Sequence, residues 1–145
     1  MTVEVPRALA DVPRLRTLAE VVELVGTVSP VYVRFSAGPE VDATSVSRDH
    51  ESGCLLPGLS TNPLDPEPWW DRPLEHWVAR QLSQYAHHMT QDRFPWVLTG
   101  EVTGRGPDCE PLLVDTVPVA SIAPAAIHEA RDVYRRVFDV GDDGT

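Results

Sequence analysis

The sequence predicts an α+β fold: a single domain in which a mostly antiparallel, twisted sheet packs against about three helices. Two apolar segments, 94–104 and 110–122, flank the stretch Gly-Arg-Gly-Pro-Asp, a pattern typical of a β-hairpin. Strand patterns do not alternate regularly with helix patterns, which argues against a doubly wound parallel sheet. A chain of 145 residues has the length of one ordinary domain, and we expect residues 1–145 to form it.

The first helix is predicted after an irregular N-terminal arm. Residues 1–16 contain three arginines and two prolines and show no firm periodicity. Thr17 and Glu20 then fit a capping box, in which each side chain bonds to the other residue's backbone N–H. Apolar residues follow at helical spacing as far as Val25, and Gly26 suits the position just after a helix. We therefore expect a helix over about residues 17–25.

The hexapeptide Val31–Ser36 lies between turn-forming residues and reads as a strand. Because side chains alternate across a strand, Val31, Val33 and Phe35 share an apolar face that we expect to pack under a helix. The other face carries Tyr32, Arg34 and Ser36. This polar face is either solvated or the floor of a polar site.

The middle of the chain is rich in loop signals. Residues 37–53 are polar, and a short strand from Cys54 is broken at Pro57-Gly58 and resumes at 59–61. Residues 63–73 contain four prolines, too many for a helix interior. Trp69 and Trp70 lie in this stretch, and we expect their large apolar rings to hold it against the core.

Two more helices are predicted in the second half. Apolar residues recur at spacings of three and four from Pro73 to Met89, and the polar residues of that segment, Arg80 and Gln84 among them, lie largely opposite. Pro124 opens a second helix that extends to about residue 138, and residues 139–145 form a tail that we expect to fray.

Charge and composition narrow the classes of function. The net charge is −10, and all 12 basic residues are arginine. Because a nucleic-acid backbone is also negatively charged, we do not expect the protein to bind one. No apolar run is long enough to span a membrane, and no secretory signal is visible, so we expect a cytoplasmic protein. His, Cys and acidic residues show no metal-ligand spacing, so we expect no metal.

Three polar groups are candidates for chemistry: Arg34 on its strand, the run Ser60-Thr61-Asn62, and the pair Asp108 and Glu110 after the hairpin turn. In extended chain the two carboxylates point the same way and can act together on a hydroxyl or water. Each group also has an ordinary structural interpretation. Arg34 can pair with a structural carboxylate, the Ser-Thr-Asn run can form a local turn, and Asp108 is a common turn residue.

Taken in this order, the three groups resemble the Arg–Ser–Glu signature of the ADP-ribosyltransferase-like fold. Arg34 matches its early-strand arginine, Ser60-Thr61-Asn62 its Ser-Thr-Ser with the last serine replaced, and Asp108-Cys109-Glu110 its Glu-x-Glu with aspartate first. The resemblance implies an enzyme that binds NAD or a related nucleotide and transfers ADP-ribose or cleaves an N-glycosidic bond. It implies catalytic roles for Arg34, Ser60 and Glu110.

The roles follow from charge. The resemblance implies that Arg34 contacts the pyrophosphate or ribose-phosphate, Ser60 orients the ribose or the acid, and Glu110 stabilises the transition state. Asp108 then binds or deprotonates an acceptor, such as a protein. The remaining substrate-binding candidates are Tyr32, Ser36, Thr61 and Asn62.

A broader resemblance covers most of the chain. The stretches YVRFSAGP, LPGLST, EPWWDRP, RFPWVLTGEVTGRGPDCEPLL and PVASI are similar to an uncharacterised family of small bacterial proteins from high-GC genomes. That similarity implies no activity. The alternative to an enzyme is a non-catalytic binding or regulatory module, with an acidic surface and the Trp69-Trp70 segment facing a protein partner.

Overall fold

The computed structural model describes residues 11–42, 58–84, 86–90, 92–106 and 110–138. Within these ranges helices and short strands precede a long hairpin and a final helix. In chain order the elements are β1 (Arg14–Leu15), α1 (Leu18–Thr27), β2 (Tyr32–Ser36), α2 (Pro39–Asp42), β3 (Leu59–Ser60), β4 (Asn62–Pro63), α3 (Leu74–Gln84), a 3-10 turn (Ala86–His88), β5 (Phe94–Arg105), β6 (Pro111–Ile122) and α4 (Pro124–Phe138).

The sheet is mixed but mainly antiparallel, and it curls. Its strand order is β1-β6-β5-β2-β4, with β3 also paired to β6. Among the described strands, β1 runs parallel to β6 and the other pairs are antiparallel. The segment 59–63 pairs with two different strands, β6 and β2. Leu59 and Ser60 pair with β6, whereas Asn62 and Pro63 pair with β2, so only Thr61 separates the two pairings. This short crossing brings β2 and β6 together at one end of the sheet.

Two cores lie on opposite faces of β2, whereas its alternation predicts a core on the apolar face alone. Val31, Val33 and Phe35 belong to the larger core, which the side chains of α1, α3 and α4 complete. Tyr32 belongs to a smaller cluster with Trp96, Leu98 and Leu113. The apolar face of β2 therefore packs against the helical layer, and its polar face lies against the curled part of the sheet.

The predicted α+β class is confirmed, and several element predictions hold in detail. Thr17 caps α1, and both bonds of the predicted capping box with Glu20 are present. Gly26 does not end this helix, because the helix extends to Thr27 and the Val28 N–H still bonds to the Leu24 carbonyl. The hairpin and α4 occur where the sequence pattern places them, whereas α3 ends at Gln84, before the predicted end at Met89, and a 3-10 turn follows at Ala86–His88.

The predicted irregular arm needs one correction. Arg14 and Leu15 form a parallel strand beside Ser121 and Ile122, because Leu15 supplies an apolar side chain to the larger core. The N-terminal part of the arm, residues 43–53 of the predicted loop 37–53, the start of the strand at Cys54 and the tail 139–145 lie outside the described residues.

Candidate functional site

Arg34, Ser60 and Glu110 are joined in series by hydrogen bonds. Arg34 Nη1 donates to the Ser60 carbonyl oxygen at 2.8 Å. The Ser60 hydroxyl donates to Glu110 Oε2 at 2.7 Å. The three predicted residues come from β2, β3 and the approach to β6, and the curl of the sheet brings them into contact.

The backbone around Ser60 explains this contact. The Gly58 Cα lies so close to β6 that a Cβ there would meet the Leu113 carbonyl oxygen at 2.8 Å. On the other side, the backbone N–H and the hydroxyl of Thr61 both donate to the Pro111 carbonyl oxygen. Gly58 and Thr61, which flank this short strand, therefore hold Ser60 against β6. Ser60 lies there beside Glu110, the residue that precedes Pro111.

The Arg34 guanidinium is bound by Asp42, a residue that the sequence did not single out. Arg34 Nε donates to Asp42 Oδ2 at 2.7 Å, with the two side chains 15% and 6% exposed. Asp42 also accepts from the Ser36 hydroxyl at 2.6 Å. That hydroxyl accepts in turn from Trp96 Nε1 at 2.9 Å, so one buried network joins β2, α2 and β5. The structural alternative for Arg34, a carboxylate partner, is therefore present.

A cleft of about 500 Å³ opens beside Glu110. Its walls come from β4, the proline-rich loop, α3 and the two ends of the hairpin turn. It holds two arginines, two carboxylates, two glutamines and two tryptophans, so it is polar with an aromatic side. The lining residues are Asn62, Pro63, Glu67, Trp69, Trp77, Arg80, Gln81, Gln84, Arg105, Glu110 and Pro111. This size lies within the range of small-molecule sites.

The cleft contains two of the predicted site residues, Asn62 and Glu110. Tyr32, Ser36 and Thr61 are buried outside its wall, and the hydroxyls of Ser36 and Thr61 bond to protein groups. Asp108 lies outside the described residues, so its predicted role stays a prediction.

The cleft also contains side chains that the sequence did not single out, notably Arg80, Gln81 and Arg105. The sequence predicts only that Arg80 and Gln84 lie opposite the apolar face of their helix, because helical spacing cannot distinguish a polar cleft from water. The only sequence signal is their spacing of four residues, which places both on one helix face.

Electrostatics around β2 act on Tyr32. Burial raises the pKa of the Tyr32 phenol above 10.0, and the negative charge of Asp65 raises it further. The positive charge of Arg105 lowers the pKa of Tyr32, but it does not cancel the other two effects. The phenol is therefore neutral at physiological pH and acts there as a buried, uncharged group.

Nearly the whole chain matches a known protein family. Residues 8–143 match DUF6098, which is described as a family of unknown function. The chain belongs to the DUF6098 family. This agrees with the predicted resemblance to an uncharacterised family. No curated protein and no solved structure matches the chain.

Neither a membrane-spanning helix nor a metal-binding cluster occurs among the described residues of this DUF6098 protein. Within the described ranges, no helix has both the length and the apolar character needed to cross a bilayer. Across the same residues, His, Cys, Asp and Glu side chains form no group of three or more that could hold a metal ion.

Proposed function

We propose that this DUF6098 protein is a small NAD- or nucleotide-handling enzyme that transfers ADP-ribose or cleaves an N-glycosidic bond. The observation that supports the proposal best is the hydrogen bond from Ser60 Oγ to Glu110 Oε2, made at the wall of a cleft of suitable size. It orients a carboxylate at the edge of the cleft. The same pair was predicted from the resemblance to the ADP-ribosyltransferase-like fold.

The chemistry assigned to Glu110 is electrostatic. When the bond between the ribose C1′ and the nicotinamide nitrogen breaks, its electron pair leaves with nicotinamide and positive charge develops on the sugar. A carboxylate fixed beside that carbon stabilises this charge, as in glycoside hydrolysis. Water or an acceptor side chain then forms the new bond to C1′ and loses a proton. Ser60 holds Glu110 in place, and Arg34 holds the backbone of Ser60.

The direct test is nicotinamide release from NAD, measured by chromatography with the full-length protein. Glu110→Gln keeps the size of the side chain but removes its charge, and we expect it to slow release by about a hundredfold or more. Glu101→Gln is the matched control, because Glu101 is exposed on β5 and does not line the cleft. Equal rates for the two variants would refute the role of Glu110.

A binding measurement covers the case of a substrate other than NAD. A ligand at many times its dissociation constant raises the melting temperature of a protein that binds it. We expect NAD, ADP-ribose or another nucleotide to raise the melting temperature of the wild-type protein. No nicotinamide release together with no shift for any nucleotide would refute the proposal.

One observation favours a second candidate, a protein-binding module. The Trp69 side chain is 67% exposed, and exposed tryptophans are common anchors of protein interfaces. Trp70, in contrast, packs against the larger core. This candidate predicts that no nucleotide shifts the melting temperature and that Trp69→Ala abolishes association with a defined protein partner. A nucleotide shift lost in Glu110→Gln would favour the enzyme.

A further inference from the structure

Arg80 is held on the wall of the cleft by two contacts. Its Nη1 donates to Gln81 Oε1 at 2.8 Å, and its guanidinium carbon lies 5.2 Å from the ring centroid of Trp77. Gln81 is only 3% exposed, and its Nε2 donates to the Pro63 carbonyl oxygen at 2.8 Å. The buried amide of Gln81 thus connects Arg80 to β4. The Arg80 guanidinium also lies over the Trp77 ring, in a cation–π contact.

Within the described residues Arg80 forms no ion pair, although Glu67 and Glu110 line the same cleft. Among the residues that the structure describes, no Asp or Glu oxygen lies within 4.0 Å of its guanidinium. Arginine carries five N–H donors in a planar fork, and the bond to Gln81 uses one of the Nη1 hydrogens. In a protein with a net charge of −10, such a cation in a cleft is an expected position for an anionic ligand group.

Arg34 has a different environment. Its Nε and Nη2 both donate to the Asp42 carboxylate, and its Nη1 donates to the Ser60 carbonyl oxygen. It does not line the cleft, whereas Arg80 does. A bidentate contact with phosphate requires two N–H groups of one guanidinium edge, and the edge formed by Nε and Nη2 faces Asp42 in Arg34.

We propose that Arg80 is the phosphate contact of the cleft and that Arg34 is a positioning residue for Ser60. This inference rests on the proposed function, because it assigns the phosphate of the nucleotide to a particular side chain. It moves the phosphate contact from β2 to the polar face of α3. Gln81 serves as a second positioning residue, since it fixes the orientation of Arg80.

The test compares three probes by titration calorimetry at low salt, with the full-length protein: ADP-ribose, adenosine and inorganic pyrophosphate. We expect the wild-type protein to bind ADP-ribose more tightly than adenosine. In Arg80→Gln the affinity for ADP-ribose should fall about tenfold to a hundredfold, as for the loss of a charged hydrogen bond, with adenosine unaffected. Arg135→Gln removes the same charge from an exposed position of α4 and should bind like the wild type.

Arg80→Lys keeps the charge but loses the planar fork, so its affinity for ADP-ribose should fall between those of the wild type and Arg80→Gln. Gln81→Glu places a carboxylate beside Arg80 and should weaken ADP-ribose binding as well, by neutralising the cation. Far-ultraviolet circular dichroism identifies any variant that does not fold. If Arg80→Gln does not fold, the affinity of a folded Arg80→Lys or Gln81→Glu for ADP-ribose tests the assignment of Arg80 instead.

The outcomes separate the two proposals. If Arg80→Gln binds ADP-ribose like the wild type, the assignment of Arg80 is wrong and the proposed function survives. If the wild type binds pyrophosphate but neither ADP-ribose nor adenosine, and Arg80→Gln loses pyrophosphate, then Arg80 contacts the phosphate of another ligand and the proposed function is wrong. If the wild type binds none of the three probes, the assignment of Arg80 is refuted, and the proposed function is refuted as well if the protein releases no nicotinamide and no nucleotide shifts its melting temperature.

Discussion

The Ser60 hydroxyl donates to Glu110 Oε2 across 2.7 Å, although 50 positions of sequence separate the two residues. The contact exists because β3 pairs with β6 immediately after Glu110, with Ser60 opposite Leu112. A serine on a two-residue strand is therefore held against a residue at the end of the hairpin turn. The position of this carboxylate depends on backbone pairing as well as on its own rotamer.

Gly106 offers a way to move the Glu110 carboxylate without changing Glu110. A Cβ added at Gly106 would overlap the Glu110 carboxylate group, while the bond from the Gly106 N–H to the Glu110 carbonyl involves only backbone. We expect Gly106→Ala to displace the carboxylate and break its bond to Ser60. The free energy of unfolding should fall by about 1 kcal/mol, the usual contribution of one hydrogen bond. Nicotinamide release should fall much more, to the level of Glu110→Gln.

Gly104→Ala is the matched control for that variant. Gly104 lies two residues earlier in the same hairpin, and a Cβ there would have no neighbour within 4 Å. We expect its activity to equal that of the wild type, since it leaves the carboxylate in place. If Gly106→Ala were as active as Gly104→Ala, the position of Glu110 would be irrelevant to the reaction.

Asp42 should contribute strongly to stability. Its carboxylate is 6% exposed and binds both Arg34 and Ser36, so its removal leaves a mostly buried guanidinium without that partner. We expect Asp42→Ala to lower the free energy of unfolding by about 3 kcal/mol, near the lower end for a broken buried pair because Arg34 keeps some solvent contact. Urea denaturation measures this. Asp132→Ala, at an exposed position of α4, should change stability by less than about 0.5 kcal/mol.

Local patterns predicted the three longer helices, β2 and the long hairpin, because each depends on neighbouring residues, but they did not predict β1 or α2. The capping box of Thr17 and Glu20 and the pairing of the two hairpin strands are such short-range features, and both occur. The partner of Arg34 and the place of Arg80 in a cleft could not be predicted in the same way. Asp42 belongs to a stretch with the composition of a loop, and only the tertiary fold brings it beside Arg34. Arg80 contacts Gln81 and Trp77 of its own helix, but only the tertiary fold forms a cleft at that helix face. The contact of Ser60 with Glu110 was suggested by resemblance, since no local pattern links residues so far apart.

Trp69 should dominate the solvent quenching of tryptophan fluorescence. Trp77 and Trp96 are buried and Trp70 is half-buried, whereas Trp69 is 67% exposed on the rim of the cleft. Trp69→Phe should therefore remove most of the emission that acrylamide can reach, and Trp70→Phe should remove little of it. If ADP-ribose binds in the cleft, it should shield Trp69 from acrylamide in the wild type. Equal acrylamide quenching of the two variants would contradict the exposure of Trp69.

Tyr32 should make the stability of the protein fall at alkaline pH. Burial, aided by the charge of Asp65, raises the pKa of its phenol above the 10.0 of an unfolded chain. Below about pH 10 the phenol is neutral in both states and stability is unaffected. Above that pH the unfolded chain loses the proton first, so the free energy of unfolding declines until the folded phenol ionises as well.

The composition makes this decline measurable, since the chain has no lysine and only three tyrosines. Tyr32→Phe should keep its stability better than the wild type between about pH 10 and pH 11, as measured by urea denaturation. Tyr134→Phe is the control, because that phenol is only half-buried on α4. A decline of the same size in Tyr32→Phe and the wild type would assign the alkaline effect to other groups.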